Sequence, residues 1–226
     1  MMPNAIPLNY ALQHIAHTFG FLPSEMIRYA ALDPHGGYNS AYDDGFPTGS
    51  LWRVEGQALY AIVRALRPAS VLELGTWHGA SATHLLQGIH DNQYGGLTCV
   101  DSRAYGDIEI GGMIPALLKK NAFITLTRIE QFIPRALKEG WRYDLIFEDG
   151  MHDAEQVAFI WQHADKLLNP GGMIISHDAM HAIAGEAIRE GIARAGYVNG
   201  DGMGNSVMNV LIAPADCGFA VWRKRL

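Results

Sequence analysis

Two short stretches hold most of the residues able to do chemistry: Asp149-Gly-Met-His152 and His177-Asp178. Each closes an apolar run, Asp144 to Asp149 and Gly172 to Ser176, that reads as a buried strand. Carboxylates and imidazoles buried side by side are costly unless a group of opposite charge compensates. A divalent cation would do so. His152 titrates near neutrality when unperturbed, which suits a general base. Its plain alternative is a residue that merely precedes a helix start at Asp153.

The segment Glu73-Leu-Gly-Thr-Trp-His-Gly79, followed by Ala80-Ser81, offers a second kind of chemistry. A glycine directly after a strand lets the backbone turn and a ligand approach closely. The dinucleotide fingerprint needs Gly-x-Gly-x-x-Gly and a pyrophosphate at the helix start. Here the spacing is Gly75-x-x-x-Gly79, with Glu73 two residues ahead. A carboxylate there repels pyrophosphate and suits a cationic ligand end. Asp101-Ser102 ends the next apolar run; such an acid accepts the two hydroxyls of a ribose, or else caps a helix. Together these elements point to a nucleoside ligand without a diphosphate.

The elements that must carry these residues alternate along the chain. Helical spacing marks 54–66, 80–87, 113–120, 131–138, 154–168 and 183–195, and strand-like runs mark 70–75, 97–101, 124–127, 144–149 and 172–176. Two further runs, 206–213 and 218–222, are joined by too few residues for a crossover and predict an antiparallel hairpin. The expected fold is α/β, doubly wound, with a mostly parallel seven-stranded sheet closed by that hairpin. Ligands in such folds bind beyond the C-terminal strand ends, where all the residues named above fall.

In this order the motifs resemble the class I S-adenosylmethionine-dependent methyltransferases, and among them the metal-dependent small-molecule O-methyltransferases. Glu55-Gly-Gln57, fifteen residues and then Glu73-Leu-Gly-Thr-Trp-His-Gly-Ala-Ser81 is similar to catechol O-methyltransferase, over roughly residues 50–226. By matched position the resemblance implies that Glu73 and Gly75 line the methionine end of the cofactor and Ser81 holds its carboxylate. Asp101 with Ser102 takes the ribose, Ile129 and Glu130 border the adenine, Asp149 faces the cofactor, and Leu51 supplies a backbone contact. In the catechol type the strand-end Asp is followed three residues later by Lys; in the macrolide-sugar type that residue is His. Asp149 and His152 follow the sugar pattern, and Asp178 matches the second metal carboxylate of both. The metal ligands so implied are Asp149, Asp178 and a third that departs from both types, because Ala179 stands where the catechol type has Asn and His177 where the macrolide type has an acid. Either His177 ligates, softening a magnesium site so that it admits manganese, iron or zinc, or it points away and water fills the gap.

The resemblance therefore implies an S-adenosylmethionine-dependent O-methyltransferase, assisted by a divalent cation (Mg2+ first, Mn2+ or another second). The expected acceptor is a small-molecule hydroxyl, of a sugar first and of a catechol-like phenol second. The alternatives are a non-catalytic S-adenosylmethionine-binding protein and a nicotinamide-dependent dehydrogenase, the latter disfavoured by the missing glycine fingerprint and by Glu73.

Other residues carry weaker signals. His84, His90 and His163 fall on helices, as do His14 and His17, and read as packing or surface residues. His35, with Tyr38 and Tyr42, lies in a long Gly-, Tyr- and Asp-rich loop that reads as a lid over substrate. His181 would reach the site if its helix began early. Met203 and Met208 read as packing, and Asp201-Gly-Met-Gly204 as a loop near the acceptor pocket.

Composition bounds the rest. The 226 residues suit one domain, 51–226, with an N-terminal helical and lid extension, 1–50, that would also supply a subunit contact in a homo-oligomer. An apolar share of 49% against 18% charged residues excludes a disordered chain. A net charge of −6 argues against a general nucleic-acid binder. Two cysteines, no signal-like start and no long apolar run predict a reduced, cytoplasmic setting away from membranes.

Overall fold

The computed structural model describes residues 5–34, 51–102 and 109–226. The lid residues His35, Tyr38 and Tyr42 lie outside them. In chain order the elements are β1 (Ile6–Pro7), α1 (Leu8–Phe19), α2 (Pro23–Leu32), α3 (Arg53–Leu66), β2 (Ser70–Leu74), α4 (Ala80–Asn92) and β3 (Gly96–Asp101). Then follow α5 (Ala116–Lys119), β4 (Ala122–Leu126), α6 (Ile129–Lys138), β5 (Tyr143–Glu148), α7 (Ala154–Leu167) and β6 (Leu168–Ser176). The chain closes with α8 (Ala184–Arg194), β7 (Val198–Asn199), β8 (Ser206–Val210), β9 (Ile212–Ala213) and β10 (Phe219–Arg223).

The main sheet has the order β4-β3-β2-β5-β6-β10-β8-β7. Its first five strands run parallel, and β10 lies antiparallel between β6 and β8. This is the expected doubly wound architecture with its C-terminal hairpin. The eighth strand is the two-residue β7 on the far edge, too short to leave an apolar run in the sequence. Helix α5 is confined to four residues, because Pro115 opens it and Asn121 leads straight into β4.

Strand periodicity sorts the core into two halves. Cys99, Phe147, Ile175, Phe219 and Val221 face one side, where they meet α1, α2, α3 and α4. Leu72, Leu74, Val100, Ile146, Ile174 and Ala220 face the other, against α6, α7 and α8. Glu73 therefore points to the α3/α4 side. So do the residues that continue the period past the strand ends, Asp149 after Phe147 and His177 after Ile175. The N-terminal segment joins the same core: Leu12, Ile15, Phe19 and Met26 are buried in it, and β1 pairs in parallel with β9. No helix among the described residues is long and apolar enough to cross a membrane.

Candidate active site

Glu73 is fully buried one residue before the end of β2. The hydroxyls of Thr76 and Ser81 donate to its two oxygens, at 2.7 and 2.6 Å. Burial pushes its carboxyl up to about 7, with the neighbouring Asp149 adding to the push against the two hydroxyls. Ser81 is thus engaged in orienting Glu73. Gly75 has φ +91, and a Cβ on it would stand 2.0 Å from the carbonyl oxygen of Asp149. Its glycine identity lets two strand ends cross closely, so that Asp149 N can donate to Leu74 O at 2.8 Å.

Asp101, at the end of β3, receives the backbone N–H groups of Thr76 and Trp77 on one oxygen, Oδ2, at 3.0 and 2.8 Å. It holds the turn after β2 in place, a task beyond the helix-capping one. Ser102 follows it on the surface. Ile129 and Glu130 open α6; Glu130 accepts from Gln156 Nε2 at 2.7 Å, and Gln156 Oε1 accepts from Met151 N at 3.0 Å. This chain of side chains ties α6 and α7 to the 149–152 turn. Leu51 is buried in the core just ahead of α3.

At the ends of β5 and β6 the structure brings Asp149, His152 and Asp178 together, with potential ligand atoms all within 4.8 Å of one another. His152 Nε2 lies 3.1 Å from Asp149 Oδ1 and 3.3 Å from Asp178 Oδ2. Both His152 (φ +54) and Asp178 (φ +56) adopt the left-handed conformation that non-glycine residues rarely take. Backbone strain of this kind concentrates where side chains must be aimed. Burial alone would push the Asp149 and Asp178 carboxyls up, but the imidazoles around them outweigh it and hold both below the ordinary carboxylate range. Burial likewise opposes the charged form of His152, and Asp149 and Asp178 overcome it, so its imidazole is held above its ordinary value. A partly exposed set of two carboxylates and an imidazole fits a divalent cation.

His177 lies deeper than expected from the sequence. Its Nδ1 faces Asp149 Oδ1 at 3.3 Å and Asp178 Oδ2 at 3.6 Å, while its Nε2 faces Glu55 Oε2 at 2.9 Å. Burial works against its charged form, yet Glu55, Asp149 and Asp178 outweigh it and hold the imidazolium well above its ordinary pKa. Glu55 was legible only as part of a motif. In the fold it is fully buried, reaches back to Trp52 N at 3.2 Å as half of a capping box, and accepts from Gly218 N at 2.7 Å. Glu148 was also missed. It is buried on the opposite sheet face, with Oε2 unpartnered among the described residues and its carboxyl pushed up by burial. Two consecutive acids at a strand end, Glu148 and Asp149, were its only trace in the sequence.

Three further histidines make contacts of their own, away from this group. His84 Nδ1 pairs with Asp33 at 2.6 Å, and His163 Nδ1 lies 2.7 Å from Phe159 O. His181 Nδ1 accepts from Ala184 N at 3.2 Å and so caps α8, which starts too late to bring it to the site. Met208 is buried in the core and Met203 packs against it. Asp201 accepts from Met203 N and Ser206 Oγ, which closes its own turn.

Known proteins share this plan. Residues 72–179 match the sequence profile of a family described as a methyltransferase domain. An inferred O-methyltransferase of Mycobacterium sp. (strain JLS) is 30% identical over 148 residues, 62% of this chain; the match spans 60% of that protein's length. Among solved structures, the O-methyltransferase TomG of Streptomyces achromogenes, in complex with S-adenosylmethionine, superposes with a TM-score of 0.60 at 17% identity, over 87% of this chain and 97% of that one. An O-methyltransferase of Bacillus cereus bound to S-adenosylhomocysteine gives 0.57 at 17% identity, over 94% and 96%. The motif at Glu73, the strand order and these likenesses agree: residues 72–179 match a methyltransferase-domain family, and the chain is built on the Rossmann-like fold that these solved S-adenosylmethionine-dependent O-methyltransferases share.

Proposed function

We propose that the protein transfers a methyl group from S-adenosylmethionine to a hydroxyl of a small-molecule acceptor, with a divalent cation assisting. The observation that carries this reading is the convergence of Asp149, His152 and Asp178 on the sheet edge where Glu73 also ends, with Glu73 and Asp149 on one sheet face. When bound, the cofactor supplies an electrophilic methyl on a sulfonium, and the cation lowers the pKa of the acceptor hydroxyl.

This chain's residues do the rest. Glu73, aimed by Thr76 and Ser81, binds the cationic methionine end. Asp101 receives the ribose while its backbone bonds keep the β2 turn in shape, and Ile129 with Glu130 borders the adenine. Asp149 and Asp178 hold the cation, and His152 takes the acceptor proton as general base. Methyl transfer is an in-line displacement, so most of the rate gain comes from holding the acceptor oxygen against the methyl. A sugar hydroxyl is the favoured acceptor, because His152 stands at the base position as in the macrolide-sugar enzymes that the sequence resembles.

Calorimetric titration with S-adenosylmethionine, in chelator and again in excess Mg2+, tests the reading. Binding in both conditions with a separate Mg2+ heat is the expected result. Binding without a metal heat removes the cation from the proposal, and no binding of the cofactor overturns it.

A further inference from the structure

Behind the proposed metal-facing group lies a second convergence of donors, from three segments far apart in the chain. Glu55 on α3, His177 after β6 and Cys217 just before β10 bring a carboxylate oxygen, an imidazole nitrogen and a thiol sulfur within 4.8 Å of one another. Glu55 and His177 are buried and Cys217 is partly exposed, so the group is closed on the core side and reachable past the thiol.

We infer that Glu55, His177 and Cys217 form a binding site for a single soft divalent cation of the zinc class, separate from the Asp149–His152–Asp178 group. The donor chemistry separates the two. The carboxylates of Asp149 and Asp178 suit an oxygen-preferring ion, whereas sulfur and nitrogen with one carboxylate suit zinc and its neighbours. His177 is oriented as such ligands are: its Nδ1 faces Asp149 Oδ1 at 3.3 Å, leaving Nε2 on the side of Glu55 Oε2, 2.9 Å away. A ligating histidine whose other ring nitrogen is held by a carboxylate is the usual supporting arrangement at metal sites. The charge also balances. A thiolate, the Glu55 carboxylate and a neutral imidazole sum to the two negative charges that a divalent ion cancels. Binding releases two protons to solvent, one from the thiol and one from His177 Nε2, and the Glu55–His177 ion pair is replaced by two metal–ligand bonds. An ion here would pin the β9–β10 loop to α3 and to the end of β6, and so fix His177 behind Asp149.

The inference does not depend on the methyltransferase reading, and cobalt tests it directly. The full chain is stripped with chelator and titrated with Co2+ alone. The expected result is a near-ultraviolet thiolate-to-cobalt charge-transfer band that saturates at one equivalent per chain and is displaced by Zn2+, counted apart from any cobalt taken by the Asp149–Asp178 group. The chain has only two cysteines, and Cys99 is buried in the core beside Glu73, so the band has one candidate source. Cys217→Ser should abolish the band and weaken Zn2+ binding at least ~100-fold, while Asp178→Asn should keep it. Cobalt bound to the unaltered chain without a thiolate band overturns the site, as does a band that survives Cys217→Ser or the absence of cobalt binding. S-adenosylmethionine titration of the same samples reads the methyltransferase proposal separately.

Discussion

At the residue scale Glu73 couples stability to binding. Its folded carboxyl is raised to about 7 from an ordinary value near 4.5. The native state therefore holds the proton more tightly than the unfolded chain, and stability falls as pH rises from about 4.5 to about 7. By linkage the loss approaches roughly 3 kcal/mol, an order-of-magnitude figure. Glu73→Gln should flatten that part of the stability-against-pH profile in urea titrations and raise stability at pH 8. The same change should weaken S-adenosylmethionine binding by calorimetry, and unaltered Glu73 should bind the cofactor more tightly at pH 8 than at pH 6. Equal affinity at both pH values would remove Glu73 from the cationic end. His152→Ala is expected to lower turnover by ~10²–10⁴-fold and to leave Mn2+ affinity within about threefold. A larger loss of Mn2+ affinity would make His152 a ligand and leave the role of base to another group.

At the element scale the turns after β2 and β5 do the positioning, and their tolerance differs from that of other turns. Gly75 and Gly140 both have positive φ, at +91 and +74. A Cβ on Gly75 would strike the Asp149 carbonyl at 2.0 Å, whereas one on Gly140 meets nothing within 4 Å. Gly140→Ala should cost about 1–2 kcal/mol, the price of the left-handed backbone alone. Gly75→Ala should cost more than twice that in urea denaturation, because β2 and β5 must part. Similar losses at both positions would refute the close-crossing account.

On the scale of the whole molecule, α1 and α2 belong to the same core as the sheet, although they precede the residues matched to the methyltransferase profile. Leu12 and Ile15 are fully buried there. Leu12→Ala should cost ~2–5 kcal/mol and shift a single unfolding transition, with far-UV circular dichroism and tryptophan fluorescence moving together. Two separated transitions would show that the N-terminal helices fold as a unit of their own.

What the sequence determined by itself was whatever depends on local periodicity and on strand-end position. Alternating apolar runs specify strands and helices, and short links specify a hairpin. Glu73, Asp101, Asp149 and Asp178 were legible as site candidates because strand ends in a parallel sheet lie on one edge. The identity of His177's partners was not legible, since Glu55 is 122 residues away along the chain and Cys217 forty residues beyond it. Only packing of α3 and the C-terminal loop onto one sheet face sets those distances. Tertiary structure likewise decided that Ser81 serves Glu73, that His181 caps a helix, and that Gly75 makes room for a backbone carbonyl. The Ser81–Glu73 and Gly75–Asp149 contacts join residues from different elements, and no spacing rule within a single element reports them; His181 meets Ala184 only three residues on, so the point at which α8 begins decides its partner.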